Sequence, residues 1–375
     1  MSDWISNPTE LAARLAEAPP RVGLDTEFVR ERTWWPKLAL VQVALEGGSV
    51  LLVDTLVPGM DAALAPMLVD PAVTKVMHSA SEDLIAFKHA CGVVPAPLFD
   101  TQIAAALAGV AGGAGYQRLV HDMLGVSLPK GETRSDWMRR PLSPAQLEYA
   151  ADDVEYLFAL HDELSARLQA LGRTAWLEED AARMVDNARN DELEPWPHLA
   201  MRSAQFLDRQ GQLRLLRLLR WRDAHARRSD KPRSWILDNE LATSLARHPP
   251  ADRPGLQRQL EATPKAPRSL GDPIWQAMQA PLPDEDAAPL ARADDRDKAL
   301  MRQLQEAVGA LGSELGLPDG VLASRRWLQQ LLDARANGDG GRWPGPLAGW
   351  RRALLEPRLA PLMAKTAGDG AGPSV

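Results

Sequence analysis

The sequence predicts an α/β architecture: a mixed sheet flanked by helices, followed by two small all-helical modules. Three observations carry this. Three apolar, β-branched runs succeed one another before residue 56, short strand-like runs then alternate with helix-spaced apolar residues up to about residue 190, and beyond that only helical periodicities recur. At 375 residues the chain exceeds one ordinary core, while 45% hydrophobic and 25% charged residues are the proportions of a globular protein.

The opening runs, 22–28, 38–45 and 50–55, are separated by Pro36 and by Gly47-Gly48, which predicts three strands in hairpin succession. A helix around 63–69, a strand at 75–78, a helix over 81–91 and further helices after Asp100 and Tyr116 follow. Ser143-Pro144 is a cap and first-turn pair. Leu147, Ala150, Val154, Leu157, Phe158 and Leu160 then keep helical spacing up to a closing Gly172, which predicts one long amphipathic helix over 143–171. A helix at 174–188 leads to DELEPWP, whose prolines and acids break the pattern and place a boundary after residue 194. Helices at 212–226, 238–247 and 274–279 form a second domain, 195–281. The acidic linker PLPDEDAAPL opens a third, 282–365, with helices at 298–315, 322–334 and 347–355, and 366–375 read as a disordered tail.

No window approaches the roughly 18 uncharged apolar residues of a membrane span, and MSDWISNPTE lacks the regions of a signal peptide, so a soluble, cytoplasmic protein with no membrane partner is expected. The single cysteine, Cys91, excludes an intramolecular disulfide and a cysteine-rich zinc site, and suits a reducing compartment. Seven scattered histidines form no HExxH pair. A metal would therefore be held by carboxylates, which favours hard ions such as Mg²⁺ or Mn²⁺. A net charge of −7 argues against a uniformly nucleic-acid-binding surface.

Asp25 and Glu27 stand two apart in the strand-like VGLDTEF, so their side chains leave one face of the sheet. The plainer explanation of that pair alone is surface charge on an edge strand, so it cannot carry a metal site by itself. Asp83, in HSASEDL, sits where a helix-start acid complements the macrodipole. Tyr149 and Asp153, four apart, lie one turn apart on one helix face, an arrangement a local hydrogen bond also accounts for. Asp152 points about 100° away from Asp153.

Taken in order, D-x-E on the first strand, a later S-E-D-L and Y-x-x-x-D on a helix resemble the three exonuclease motifs of the DEDD superfamily, in its tyrosine-containing branch. LDTEFVRERTWWPKLALVQVA, HSASEDLIAFKHACG, PLFDTQIAAA and SDWMRRPLSPAQLEYAADDVEYL are similar to bacterial ribonuclease D, and the resemblance covers nearly the whole chain. The 212–226 region resembles an HRDC domain, and ASRRWLQQLL with GWRRALL a second, divergent HRDC-like module. The resemblance implies an RNase H-like exonuclease fold in the first domain and a 3′→5′ exoribonuclease using two divalent metal ions, Mg²⁺ or Mn²⁺. It implies Asp25, Glu27, Asp83 and Asp153 as the metal ligands, with Tyr149 holding the attacking water. As partner it implies RNA with a single-stranded 3′ end, tRNA precursors as the substrate class, acted on by a monomer. Departures lie at Gly131 and Glu132 after Lys130 and in AGGAG before Tyr116, and concern loop conformation.

Residues 201–235 hold ten Lys or Arg against three acids, a local basic surplus suited to phosphates. Arg214, Arg217 and Arg220 recur every third residue, and Arg228, Lys231 and Arg233 follow. A solvated face beside a leucine core explains the same pattern, and the resemblance favours nucleic acid. In the first domain Lys130, Arg134 and Gln42 are the expected contacts to the terminal nucleotides, with Trp137 in packing. A DNA exonuclease would share the acidic set. A binding scaffold without catalysis would have lost it, and here it is intact.

Overall fold

The computed structural model describes residues 2–16, 19–129, 131–132, 135–190, 192–291, 296–336 and 343–368. Contacts divide the chain into two units: Met1–Val29 with Pro36–Asp191 and Ala299–Val375, and Arg30–Trp35 with Glu192–Lys298.

The first unit is built on six strands, β1 (Ser2–Ile5), β2 (Arg21–Val29), β3 (Lys37–Leu45), β4 (Ser49–Val53), β5 (Thr74–Met77) and β6 (Leu98–Asp100), in the spatial order β1-β4-β3-β2-β5-β6. The β2-β3-β4 meander is antiparallel, as its hairpin spacing predicts, while β1, β5 and β6 join in parallel. Sequence reading misses β1 and β6, which at four and three residues are too short to show alternation and exist through their neighbours' backbone groups.

Helices α1 (Pro8–Leu15), α2 (Met60–Val69) and α3 (Ser81–Cys91) pack with Leu24, Val41, Val43 and Leu51 in one apolar core. The opposite face of the sheet carries Leu40, Ala44 and Leu52. It is covered by α4 (Thr101–Leu107), α5 (Tyr116–Leu124), α6 (Pro144–Glu155) and α7 (Leu157–Ala170), with α8 (Thr174–Asn190) alongside.

The single long helix expected over 143–171 is two, interrupted at Tyr156. The Tyr116 hydroxyl donates to the Asp152 carbonyl at 3.2 Å and accepts from the Tyr156 N–H at 3.0 Å, the two groups that would otherwise form one i→i+4 bond. A side chain inserted into the helical ladder is a recognised cause of such breaks.

From later in the chain, α14 (Arg296–Glu314), α15 (Arg325–Ala336) and α16 (Trp350–Gly368) contribute Leu304, Leu328, Leu355 and Leu359 to the α6–α7 core. Trp350 stacks on Trp176 with centroids 4.3 Å apart. Arg351 donates to both oxygens of Asp180, at 2.6 and 2.8 Å, where both side chains are buried. Removing one partner of such a pair costs about 3–5 kcal/mol. Helix α16 runs through Gly368, so the first residues of the expected tail are helical. Ala364, Lys365 and Ala367 are good helix formers, and the rest of the tail lies outside the described residues.

The second unit contains α9 (Arg209–Ser229), α10 (Arg233–Ile236), α11 (Asn239–Arg247), α12 (Arg253–Ala262) and α13 (Gly271–Gln279) around Leu215, Leu218, Leu219, Leu241, Leu245 and Ile274. Helix α12, where the sequence suggests proline-rich spacers, is capped by Asp252 and begins with Arg253-Pro254, proline being compatible with the first turn.

Candidate active site

Strand β2 outruns its neighbour. Its parallel pairing with β5 ends at Gly23↔Val76, so from Asp25 onward that edge is open, beyond the carboxyl end of β5. On the other side β3 continues, with Gln42 opposite Asp25, until a bulge between Glu27 and Phe28. There the unpaired Ala39 carbonyl is taken by Arg140 Nη2 at 2.7 Å, and Asp54 holds the same guanidinium at 2.7 and 3.1 Å. The bulge is thereby fixed beside the acids.

Helix α6 crosses this face, where Ser143 and Gln146 form a capping box and Ala150 and Val154 are fully buried. Tyr149 and Asp153 are thus turned toward β2. Carboxylate oxygens of Asp25, Glu27 and Asp153 all lie within 4.8 Å of one another. Asp83 stands outside that triangle. It comes from α3, whose apolar residues pack on the opposite face, and accepts a short hydrogen bond from the Thr26 hydroxyl.

Burial and mutual repulsion dominate the electrostatics of the cluster. Burial, followed by the charges of Asp83, Asp153 and Glu27, raises the Asp25 carboxyl well above its ordinary range. Burial first and then Asp153 and Asp83 push Glu27 up to about 8. Asp153 rises to about 7 by burial, opposed by a hydrogen bond from Tyr149, and Asp83 to about 7 by burial, opposed by Thr26. Among the described residues, no lysine or arginine is a cause of the shift in any of the four. Carboxylates this close can all ionise only with a cation between them, and oxygen ligands alone suit a hard divalent ion. The donor set fits the divalent metal the sequence implies.

Burial, Asp153 and Glu27 raise the Tyr149 hydroxyl, which therefore stays protonated at neutral pH. Its ring lies 6.0 Å from that of Trp137, itself 2% exposed. Gly131 also lies against it: a Cβ there would fall 1.7 Å from Tyr149 Cε2. The loop departure at Gly131 thus has a structural counterpart, the absence of a side chain where the backbone meets this ring.

The expected RNA contacts fare differently. Gln42 is 0% exposed, so the reading of it as a nucleotide contact is corrected: it is sealed between sheet and α6. The evenly spaced arginines of α9 are not a solvated stripe. Arg217 donates to both oxygens of Glu285 at 2.5 and 2.7 Å, and Arg220 to both of Asp284 at 2.7 and 3.0 Å, while Arg214 bonds the Ala246 carbonyl at 3.0 Å. The segment read as a linker, PLPDEDAAPL, folds back to supply those acids. Arg228 and Lys231 are exposed, and Lys130 and Arg134 lie outside the described residues. Thr26 and Tyr116 escape sequence reading. The only signal for Thr26 is its place between the two acids of D-T-E, and Tyr116 gives none.

The 3′-5′ exonuclease family model matches residues 2–169, and that of the ribonuclease D C-terminal HRDC domain matches residues 296–359. The chain is 59% identical over 365 residues to ribonuclease D of Xanthomonas oryzae pv. oryzae, covering 97% of this chain and 99% of that one. It is 35% identical over 365 residues to ribonuclease D of a Shewanella species, covering 96% and 93%. Among solved structures it is similar to Escherichia coli RNase D, described as an exoribonuclease involved in structured RNA processing, with a TM-score of 0.83, 30% identity and coverage of 97% and 99%. The catalytic core of RRP6 from Trypanosoma brucei shares the fold, with a TM-score of 0.58 at 20% identity over 74% and 79%.

Proposed function

Because the chain belongs to the ribonuclease D family, and is a 3′→5′ exoribonuclease, we propose that Asp25, Glu27, Asp83 and Asp153 hold its divalent ions and that Tyr149 directs the attacking water at an RNA 3′ end. The observation that carries this reading is the meeting of Asp25, Glu27 and Asp153 carboxylates within 4.8 Å of one another at the open edge of β2. Two divalent ions, Mg²⁺ or Mn²⁺, held there would supply Lewis acidity at the attacking water and at the departing 3′ oxygen.

The chain's own residues do the rest. Asp25, Glu27 and Asp153 would hold the ions from two elements, β2 and α6. Thr26 fixes the rotamer of Asp83, so this acid serves the cluster from the opposite side of the strand. Tyr149, protonated and bonded to Asp153, orients the water through its hydroxyl and does not act as the base. The substrate class is precursor tRNA with a single-stranded 3′ extension, trimmed to nucleoside 5′-monophosphates by a monomeric, cytoplasmic enzyme.

The test is a 3′-tailed precursor tRNA and a DNA oligomer of matched tail sequence, each 5′-labelled, incubated with Mg²⁺ or Mn²⁺. A ladder shortening from the 3′ end on RNA, slow or absent on DNA and abolished by EDTA, is the expected result. Equal shortening of DNA would replace the RNA reading with a DNA exonuclease.

A further inference from the structure

Gln42 presents an anomaly at the centre of the sheet. It is 0% exposed, and among the described residues neither its amide nitrogen nor its amide oxygen has a hydrogen-bond partner. A buried amide left unpaired is unfavourable by the desolvation of each group, so an apolar residue of similar size would serve the core better. Its place is specific. Gln42 is the direct cross-strand partner of Asp25, with Leu52 of β4 on its other side. Antiparallel partners point to the same face, with β-carbons about 4.5–5.5 Å apart. The amide therefore shares with Asp25 the face that α6 covers.

We propose that Gln42 is a positioning residue for Asp25: its amide N–H₂, unpaired in this structure, donates to the Asp25 carboxylate once that group is ionised against the divalent ions, and so fixes the direction in which its oxygens face them. The inference rests on the metal-cluster reading above. It also explains why a long polar side chain occupies a position where its neighbours two residues away on β3, Leu40 and Ala44, are apolar. A fixed ligand orientation is what hydrogen-bonding partners behind metal ligands provide, and removing one typically weakens metal affinity or activity by about 10- to 100-fold.

Gln42→Met, close in volume and without donor or acceptor, separates this role from a packing role. The expected variant melts at or above the parental temperature without metal, because two unpaired polar atoms are gone. It binds Mn²⁺ about 10- to 100-fold more weakly by calorimetric titration, and its kcat falls with little change in KM for RNA. Unchanged Mn²⁺ affinity and kcat would overturn the proposal, as would a defect confined to KM. Should Gln42→Met melt lower, the same titration on folded Gln42→Leu, well below its melting temperature, decides by the same criterion. Asp25→Asn is the control. If it binds Mn²⁺ like the parent, the metal-site reading itself fails. If it loses Mn²⁺ while Gln42→Met keeps it, only the role of Gln42 fails.

Discussion

Alternate residues of β2 meet opposite fates. Val22 and Leu24 enter a dry core with Val41, Val43, Leu84 and Phe87, whereas Gly23, Asp25 and Glu27 face α6 and α7. One face gains by excluding water. The other gathers carboxyl groups whose burial and mutual repulsion make ionisation unfavourable. Both faces are closely packed, each filled by its own alternate set of side chains. Gly23 shows how tight this is, since a Cβ there would lie 3.0 Å from that of Ala44 and 3.2 Å from Leu157 Cδ1.

Substituting one residue on each face separates the roles of the two. Asp25→Asn or Asp153→Asn is expected to reduce turnover on the order of 10³-fold, leaving metal-free stability unchanged or higher because a repulsion is relieved. Leu24→Ala is expected to do the converse, costing about 2–5 kcal/mol in urea unfolding while the folded fraction retains its kcat. A large loss of kcat per folded Leu24→Ala molecule would show that the two faces are not separable in this way.

A smaller effect is expected at the tyrosine. Gly131→Ala must displace the Tyr149 ring and is expected to slow turnover by up to about 10²-fold without changing Mn²⁺ affinity. In a Tyr149→Phe background the same substitution should add little, since the hydroxyl it misplaces is already gone. Additive losses across that double-mutant cycle would argue that Gly131 acts elsewhere.

The smallest effect is on pH dependence. In the folded, metal-free protein Glu27 is pushed up to about 8 and Asp153 to about 7, against ordinary values of 4.5 and 3.8. Raised carboxyls keep protons that the unfolded chain has lost. Their contribution is therefore fully present below the unfolded values and is lost as pH rises through about 7–8. With EDTA, melting temperature is expected to fall between pH 5 and 8, less so in Glu27→Gln, and Mn²⁺ at 100 times its dissociation constant should restore about 2.7 kcal/mol at pH 8. A Glu27→Gln slope identical to the parent's would remove Glu27 from the cause.

Much of the first face was legible in advance. A hydrophobic strand pattern needs only local alternation, so β2, β3, β4 and β5 fall close to where their apolar runs suggest. The acids were legible as an ordered set, although capping or surface charge explains each one separately. The arginines of α9 misled for a physical reason: a three-residue spacing records which helix face they share and says nothing of Asp284 and Glu285, more than sixty residues later, that neutralise two of them.

The inventory of strands, helices and acids, and their order, follow from the chain itself, because alternation, capping and motif spacing are local properties. Tertiary structure alone decided the rest. It decided that β2 would project beyond β5, that Tyr116 would split one helix into two, that Asp83 would accept a hydrogen bond from Thr26, and that Gln42 would be buried unpaired beside Asp25. Each depends on groups distant in sequence competing for one place, where burial, repulsion and hydrogen bonding are settled only when the elements pack.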